Sequence, residues 1–497
     1  MELLWHTYRY YPYELELARR EVRTLLPLAA LSDTENGIRL RGSFDAKIAE
    51  RFVYFSSAID GDNKAPTMQA RLERVNGNGV NRQSTRYSAH GLHEYKGKFN
   101  PQIARAILNI LDIPIGARVI DPFCGSGTSL LECTHLGMRA VGTDINPLAV
   151  FIANAKLDAV RLPVARLRSS LADALKRRKK INPPRGASGK LRREYLLSWF
   201  DLDVYNTIEQ LRLAIEKGDA SCAAPLLTIA SNLLRDYSWQ DPNDLRIRRR
   251  KTPLPSRPFV EAFEESAEQF LAKLEDAQMA MVGRPPKVSR ALLLDSRTLT
   301  PQRRGIGGAP FDCALTSPPY ATALPYIDTQ RLSLVWLGLL APSEILPLEA
   351  RLVGSREIRG ESKGGLLASL MNNTAELPVA QAKYCLALQS ALSDKDGFRR
   401  RAVPLLLYRY FVGMAQVFRA LRPCMKDGAP FALIVGSNHT ILSGKRFDID
   451  TPHHLAEIAT ACGWKHAETF PLQTYQRYGY HMSNAVNAEG LLIVKAA

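Results

Sequence analysis

The chain has 497 residues, and 46% of them are hydrophobic, so it can bury a sizeable core and is not a globally disordered chain. Its 66 Lys and Arg residues outnumber its 49 Asp and Glu residues, and the net charge of +17 favours a polyanionic partner. The seven cysteines are odd in number and form no CxxC pair, so we expect neither a disulfide framework nor a structural metal site.

The start of the sequence has no basic stretch followed by an apolar run, so we expect no signal peptide. No segment reaches the roughly 18 uncharged apolar residues that a membrane span needs, so we expect no membrane partner. Cysteines without a disulfide pattern are typical of the cytoplasm, which is the predicted location. The length predicts two or three folding units, or one catalytic core with large insertions.

Residues 1–85 are predicted to form a small N-terminal accessory region of mixed structure. Apolar residues near helical spacing predict a helix over 14–26, and short strands are predicted at 39–44 and 51–55. A stretch rich in Asn and Gly at 76–81 predicts a turn or linker at the end of this region.

Residues 86–160 are predicted to begin an α/β domain. A helix over 101–111 is followed by a short apolar strand at 118–120, a glycine turn and a second helix. A second strand at 139–143 ends at Asp144, and another helix follows. This alternation of strands and helices predicts a parallel sheet.

The sequence changes character over residues 161–285. Basic residues cluster between 166 and 193 and again at 246–251, among leucine-rich helical patterns. These features predict a mostly helical, basic insertion that is a candidate for nucleic-acid recognition. Strand-like runs resume within residues 286–497, where the stretch 321–425 is largely helical in pattern.

The segment Asp121-Pro-Phe-Cys-Gly-Ser-Gly-Thr128 lies between the first strand and its helix. Gly125 and Gly127 let the backbone approach a ligand closely, and free N–H groups at the helix start add a positive end. Asp144 ends the next strand, at a spacing where a carboxylate can accept both ribose hydroxyls. Because the third glycine of GxGxxG is absent, a pyrophosphate ligand fits less well.

This glycine turn closely resembles the cofactor motif of amino-methyltransferases that act on nucleic acids. The resemblance implies S-adenosyl-L-methionine as the cofactor, with the turn beside its methionine, Asp144 on its ribose and the next two residues near its adenine. A generic strand–turn–helix corner is the alternative, and it accounts for fewer of the matching positions. The cofactor contacts that the motif implies are Asp121, Phe123, Gly125, Gly127, Thr128, Asp144, Ile145 and Asn146.

A second motif, Thr316-Ser-Pro-Pro-Tyr320, follows an apolar strand at 312–315. An exocyclic amine of a base is a poor nucleophile because its lone pair is delocalised into the ring. The Ser317 hydroxyl and the Pro318 carbonyl can accept hydrogen bonds from the amine protons, and two prolines hold the loop rigid. Tyr320 offers a flat face on which an extruded base can stack.

The tetrapeptide resembles the (Asp/Asn/Ser)-Pro-Pro-(Tyr/Phe) signature of DNA amino-methyltransferases, and its serine form is typical of those that methylate cytosine N4. The resemblance implies a duplex DNA substrate with a flipped base, direct transfer without a metal or covalent intermediate, and a restriction or defence system as partner. By itself the tetrapeptide is only a proline-rich turn, and its pairing with the glycine turn favours catalysis. The catalytic residues implied are Ser317, Pro318, Pro319 and Tyr320.

Three further segments support the resemblance. Residues 93–101 resemble the segment that lies across the cofactor, with Phe99 and Pro101 against its methionine portion, although an ordinary basic loop is an equal alternative. Asp295 ends a strand and resembles the acidic residue that approaches the adenine amino group. Tyr326, just beyond the second motif, is a candidate for lining the base pocket.

The fold implied is α/β: a Rossmann-like class I methyltransferase core with a seven-stranded mixed sheet and helices on both faces. Residues 86–160 are then its cofactor-binding half and residues 286–497 its catalytic half, with a helical basic insertion between them and a small N-terminal region before them.

The order of the motifs keeps other substrates open. Many enzymes with this tetrapeptide carry it before the glycine turn, whereas transfer-RNA guanine-N2 methyltransferases have the order found here, after a small RNA-binding domain. Cytosine-N4 methylation of DNA is the first hypothesis, and methylation of adenine N6 in DNA and of guanine N2 in RNA are the alternatives.

Two other kinds of protein are less consistent with the motifs. A nucleic-acid-binding protein with an inactive methyltransferase fold would be expected to have damaged motifs, and both motifs are intact. Cytosine-C5 chemistry needs a cysteine nucleophile, and Pro423-Cys424 lies at a helix end, where core packing explains it better.

Overall fold

The computed structural model of the protein describes residues 1–42, 46–73, 84–182, 189–281, 288–321, 327–356, 358, 363–473 and 488–497. The predicted turn at 76–81 and Tyr326 lie outside these residues. Among the described residues we find no helix with the length and apolar character that crossing a bilayer requires.

The N-terminal region contains a five-stranded antiparallel sheet in the order β2-β3-β1-β4-β5. The predicted helix in this region is confirmed, and it begins two residues earlier because Pro12 suits a first helical turn. The strand predicted at 51–55 is wrong: residues 46–51 form a 3₁₀ helix, and the apolar run after it is a buried connection. The elements are β1 (Glu2–Trp5), α1 (Pro12–Leu25), β2 (Ala30–Thr34), β3 (Gly37–Arg41), β4 (Phe55–Asp60), β5 (Asn63–Pro66) and α2 (Met68–Glu73).

The central sheet has seven strands in the order β13-β14-β10-β9-β6-β7-β8. The pairs from β10 to β8 are parallel, whereas β14 runs antiparallel to both of its neighbours. This mixed sheet confirms the predicted class I methyltransferase fold. Its strands are β6 (Arg118–Asp121), β7 (Arg139–Asp144), β8 (Arg290–Leu293), β9 (Cys313–Thr316), β10 (Pro430–Gly436), β13 (Trp464–Gln473) and β14 (Ala488–Ala496), and a separate hairpin consists of β11 (Asn438–Leu442) and β12 (Lys445–Ile449).

Helices cover both faces of the central sheet because successive strand residues point to opposite sides. Val119 joins one buried cluster with the N-terminal sheet, and Ile120 joins another on the opposite face. Both clusters are apolar, so the sheet is covered on both sides, as parallel strands require. The covering helices include α3 (Pro101–Ile110), α4 (Thr128–His135), α5 (Pro147–Ala159), α15 (Phe398–Leu421) and α16 (Thr451–Ala461).

Two groups of helices interrupt the strand order. The group between β7 and β8 confirms the predicted helical insertion, and it shares a buried core with α5. It consists of α6 (Val164–Arg178), α7 (Lys190–Leu197), α8 (Leu202–Glu216), α9 (Ala220–Leu233) and α10 (Phe259–Ala280). The group between β9 and β10 consists of α11 (Arg331–Trp336), α12 (Ile345–Arg351), α13 (Lys363–Asn372), α14 (Val379–Ser390) and α15.

A fully buried carboxylate in α4 ties the segment before the sheet to the core. Glu132 Oε2 accepts a hydrogen bond from Arg105 Nε at 2.5 Å, and Oε1 accepts one from Tyr87 Oη at 2.9 Å. Burial by itself raises the pKa of Glu132, but the Arg105 charge and the hydrogen bonds hold it well below its ordinary value. His90 and His135 lie near enough to Glu132 for a metal site, yet Arg105 already supplies the cation that this carboxylate needs.

We predict that Arg105→Met lowers the free energy of unfolding by about 3–5 kcal/mol, because Glu132 stays buried without its main countercharge. Urea unfolding of the wild type and the variant measures this loss. Arg161→Met is the control, since it breaks a partly exposed pair with Asp158 and should cost no more than about 1 kcal/mol. Equal losses in the two variants would contradict the prediction.

Candidate functional site

The two sequence motifs meet at one edge of the central sheet. The glycine turn follows β6 and the acceptor loop (residues 317–320) follows β9, and these strands are parallel neighbours. Their carboxyl ends therefore lie side by side, where open α/β sheets bind ligands. Thr316 Oγ1 donates a hydrogen bond to Asp121 Oδ1 at 2.6 Å, which joins the two motifs directly.

Asp121 is buried at the start of the glycine turn and accepts hydrogen bonds through both oxygens. Oδ1 also accepts from the Phe123 backbone N–H at 3.0 Å, and Oδ2 accepts from the Ser129 hydroxyl. Burial raises the pKa of Asp121 to about 6, against the opposing effect of these hydrogen bonds. Asp121 therefore fixes the shape of the turn. The sequence reasoning missed the roles of Thr316 and Ser129, whose only signal is that they adjoin the motif residues.

Gly127 has a packing role that its sequence motif does not reveal. Its φ is 79°, in the left-handed region, and a Cβ there would lie 2.8 Å from Ala153 Cβ in α5. Glycine at this position therefore lets α4 begin close against α5. Gly125, with φ 48°, donates its N–H to Asp144 Oδ2 at 3.0 Å.

Asp144 is half-buried at the carboxyl end of β7. Its Oδ1 accepts from the Asn146 N–H at 2.8 Å and its Oδ2 from the Gly125 N–H at 3.0 Å, and the Ile145 N–H also bonds to the carboxylate. Since a carboxylate offers about four lone-pair sites, acceptor capacity is left for another donor. Burial raises the pKa of Asp144 to about 6. The carboxylate is therefore held rigidly, with acceptor capacity to spare.

Asn146 is buried and uses both ends of its side chain within the protein. Its Oδ1 accepts from the Leu148 N–H at 3.0 Å and caps α5, and its Nδ2 donates to Gln330 Oε1 at 2.5 Å. Neighbouring Ile145 is half-buried against the core of the helical insertion. Gln330 follows the acceptor loop and was not found by sequence reasoning.

A cleft lies between the glycine turn, the acceptor loop and the segment before α3. Three aromatic rings line it, and ring faces attract a positively charged group such as a sulfonium. Lys98 also lines it, and burial lowers the pKa of this ammonium to about 7. Tyr95 is a lining residue that sequence reasoning missed, although it adjoins Phe99 in a segment already singled out. The lining residues are Tyr95, Gly97, Lys98, Phe99, Asp121, Phe123, Cys124, Gly125, Ser126, Thr128, Ser129 and Ser317.

Six of the predicted site residues thus share this cleft, and nine do not line it. Pro101 is the first residue of α3 and is buried, whereas the residues just before it, up to Phe99, line the cleft. Asp295 caps a short 3₁₀ turn and pairs with the Arg297 guanidinium at 2.7 Å. Burial raises the pKa of Asp295, but its bonds to Arg297 outweigh that effect and lower it. The others outside the lining are Gly127, Asp144, Ile145, Asn146, Pro318, Pro319 and Tyr320.

Ser317 brings the acceptor loop into the cleft. Its hydroxyl donates to the Ile434 carbonyl at 3.4 Å, so its oxygen lone pairs are left to accept a hydrogen bond from another group. Pro318 is buried and Pro319 is half-buried, and their rings restrict the backbone on either side. The loop can therefore present fixed hydrogen-bond acceptors.

Tyr320 is held by a neighbouring strand. Its hydroxyl donates to Glu489 Oε1 at 2.7 Å, and Glu489 belongs to β14. Gly354 passes close behind: its φ is 78°, and a Cβ there would lie 2.9 Å from the Tyr320 carbonyl. Sequence reasoning did not find Glu489 or Gly354, since neither adjoins a motif.

Comparison with known proteins concerns the part of the site that contains the glycine turn and Asp144. Residues 92–181, which include the glycine turn and Asp144, match the model of the RMKL-like methyltransferase domain (UPF0020). These residues are therefore similar to the methyltransferase domain of that family. Its cofactor is S-adenosyl-L-methionine, which fits the aromatic and acidic lining of the cleft.

Three curated relatives each match less than a fifth of the chain. The type II methyltransferase M.MjaII of Methanocaldococcus jannaschii is 39% identical over 93 residues, which are 19% of this chain and 17% of that one. The tRNA (guanine(10)-N2)-dimethyltransferase of Methanothermobacter thermautotrophicus is 42% identical over 52 residues, 10% and 16% of the two chains. The type II methyltransferase M.MvaI of Kocuria varians is 37% identical over 75 residues, 15% and 16%. The chain thus matches about a sixth of each relative.

We predict that Gly127→Ala lowers the free energy of unfolding by about 1–3 kcal/mol more than Gly116→Ala. Both glycines have a positive φ, but a Cβ at Gly116 would meet nothing within 4 Å, whereas at Gly127 it would press into α5. Urea unfolding of the two variants measures the difference. Losses of the same size would show that α4 does not need this close approach.

Proposed function

We propose that the protein is an S-adenosyl-L-methionine-dependent DNA methyltransferase that methylates the exocyclic N4 of cytosine. The observation that carries this proposal is that the two motifs share one cleft. The hydrogen bond from Thr316 to Asp121 joins them, and Ser317 lines the cleft together with the glycine turn. Serine is typical of the cytosine-N4 form of the acceptor motif. The similarity to two type II DNA methyltransferases supports a DNA substrate and a restriction-modification context.

The chain would hold the donor along the edge formed by β6 and β7. The remaining acceptor capacity of Asp144 suits the ribose hydroxyls, because the backbone N–H groups of Gly125, Ile145 and Asn146 fix the carboxylate. Phe99 and Phe123 offer ring faces to the methionine portion. The bound donor supplies a methyl group made electrophilic by a sulfonium. Ile145, Pro101 and Asp295 would support this arrangement from outside the lining.

The acceptor loop would activate the amine. Ser317 directs its own proton to the Ile434 carbonyl and can therefore accept a proton of the target amine, with the Pro318 carbonyl as a second acceptor. Two such hydrogen bonds draw the nitrogen toward a tetrahedral geometry and turn its lone pair out of the ring. The transfer would then be direct: the bond from the methyl group to the donor sulfur would break as the new bond to nitrogen forms, and the methylated nitrogen would lose one proton to solvent. No covalent intermediate on the protein would be needed.

Tyr320 would stack on the base after its extrusion from the duplex. The hydrogen bond from its hydroxyl to Glu489 restrains the ring, so a flat surface is in place before the base arrives. Pro319 precedes it and limits how far the loop can move.

RNA guanine-N2 methylation is the second candidate. The 42% identity with a tRNA (guanine(10)-N2)-dimethyltransferase favours it, as does the motif order. Ser317 favours the DNA cytosine proposal, because adenine-N6 and guanine-N2 enzymes more often carry Asp or Asn at that position.

The product identifies the reaction. Incubation of the protein with labelled donor and either duplex DNA or transfer RNA, followed by digestion, should yield label in N4-methylcytosine from DNA. Label in N6-methyladenine would overturn the choice of base, and label in RNA alone would overturn the choice of polymer.

Two variants separate the roles within the site. Tyr320→Ala should reduce label transfer about tenfold or more, because it removes the stacking surface, and should leave donor affinity unchanged, because Tyr320 does not line the cleft. Asp144→Ala should instead weaken donor binding measured by calorimetry. A Tyr320→Ala protein that no longer bound the donor would contradict the stacking role.

A further inference from the structure

Residues 239–251, here called the basic hairpin, form an ordered projection between α9 and α10. The Arg250 N–H donates to the Trp239 carbonyl at 2.9 Å, and the Asp241 N–H donates to the Arg248 carbonyl at 2.8 Å. Gln240 and Arg249 pair between these bonds as an antiparallel bridge. The charge run seen in the sequence at 246–251 is therefore one arm of a hairpin.

Arg235 fixes the tip of the basic hairpin from inside. Its Nη2 donates to the carbonyls of Asp241 at 3.0 Å, Pro242 at 2.8 Å and Asp244 at 2.9 Å. Arg250 turns back in the same way, with Nη1 donating to the Asp236 carbonyl at 2.6 Å. Two guanidinium groups thus satisfy backbone carbonyls of the loop and of the segment before it, which restrains the conformation of the loop.

The basic hairpin is bonded to the chain beyond the acceptor loop, and α9, which precedes the hairpin, is bonded to the segment before α3. On one side, the buried Gln240 donates through Nε2 to the Asp328 carbonyl at 3.1 Å, shortly after the acceptor loop. On the other side, Asn232 at the end of α9 accepts from the Glu94 N–H at 2.7 Å, next to the cleft residue Tyr95. The hairpin and the segments beside the cleft therefore belong to one bonded structure.

Three cations of the basic hairpin remain for an external partner. Arg248 is 64% exposed and holds only a surface pair with Asp244, at 3.0 Å, and Lys251 is exposed. The Arg246 side chain has no hydrogen bond or ion pair with any residue that the structure describes. Arg249, by contrast, donates to the Ser198 carbonyl at 2.7 Å. The hairpin thus carries uncompensated positive charge beside the cleft.

We propose that the basic hairpin binds the phosphodiester backbone of duplex DNA next to the base that enters the cleft, with Arg246, Arg248 and Lys251 as the phosphate contacts. This inference rests on the proposed function and names the surface that holds its substrate. Guanidinium forks match phosphate oxygens, and such contacts set the register of a protein on a duplex. A rigid hairpin anchored at the cleft would fix the distance between a gripped phosphate and the target base.

The test is the salt dependence of DNA binding by a variant carrying Arg246→Gln, Arg248→Gln and Lys251→Gln. The association constant for a fluorescent duplex falls with salt by a log–log slope of about 0.9 per phosphate contact, so the slope should become shallower by about 2.7. Donor affinity and the free energy of unfolding, measured on the same variant, should match the wild type. These two measurements show whether the change in slope comes from the loss of the three surface charges or from misfolding.

The matched control replaces the same number of charges outside the helical insertion, with Lys64→Gln, Lys465→Gln and Lys495→Gln, which are exposed residues of β5, β13 and β14. Its slope should stay at the wild-type value. The proposal would be overturned if the salt slope decreased equally in both triple variants, or if it did not decrease in the hairpin variant. Neither result would bear on the proposed function, which is tested by methylation with the wild-type protein.

Two outcomes concern the partner itself. A wild-type protein that binds no nucleic acid would overturn both this inference and the proposed function. Tighter binding of transfer RNA than of duplex DNA, with the same loss of slope in the hairpin variant, would overturn duplex DNA as the partner.

Discussion

The hydrogen bond from Thr316 to the buried carboxyl of Asp121 joins two segments that lie 195 residues apart in the sequence. It forms because β6 and β9 are neighbouring parallel strands that end at the same edge of the sheet. Asp121 also holds the turn through Phe123 and Ser129, and a buried carboxyl without partners is costly. The same bonds therefore stabilise the fold and bring a cofactor turn and an acceptor loop to one cleft.

The two helical groups are inserted without disturbing this edge. They leave between β7 and β8 and between β9 and β10. Hydrogen bonds from Asn146 to Gln330 and from Gln240 to Asp328 tie the chain beyond the acceptor loop to α5 and to the first helical group. Each contact joins a residue on the cofactor side or the insertion to the chain just beyond the acceptor loop. The insertions thus leave the strand order within the central sheet uninterrupted, and the first of them carries the basic hairpin that we propose as the DNA contact.

Sequence could predict the parts whose chemistry is local. The glycine turn and the acceptor loop are short motifs, and strand–helix alternation predicts the sheet. It could not predict Tyr320 bonding to Glu489, because that pair spans 169 residues and depends on β14 lying antiparallel within the sheet. Nor could it separate ligand contacts from local roles: Asn146 caps a helix, and Gly127 packs against α5.

The central claim is that one cleft at this edge takes both the donor and the target amine. A crystal structure of the full chain with S-adenosylhomocysteine tests it most directly. The account predicts that the ribose hydroxyls bind the Asp144 carboxylate. It also predicts that the sulfur lies between the glycine turn and Ser317 and is directed toward Tyr320. A ligand bound away from this edge, or a sulfur directed away from Ser317, would contradict it.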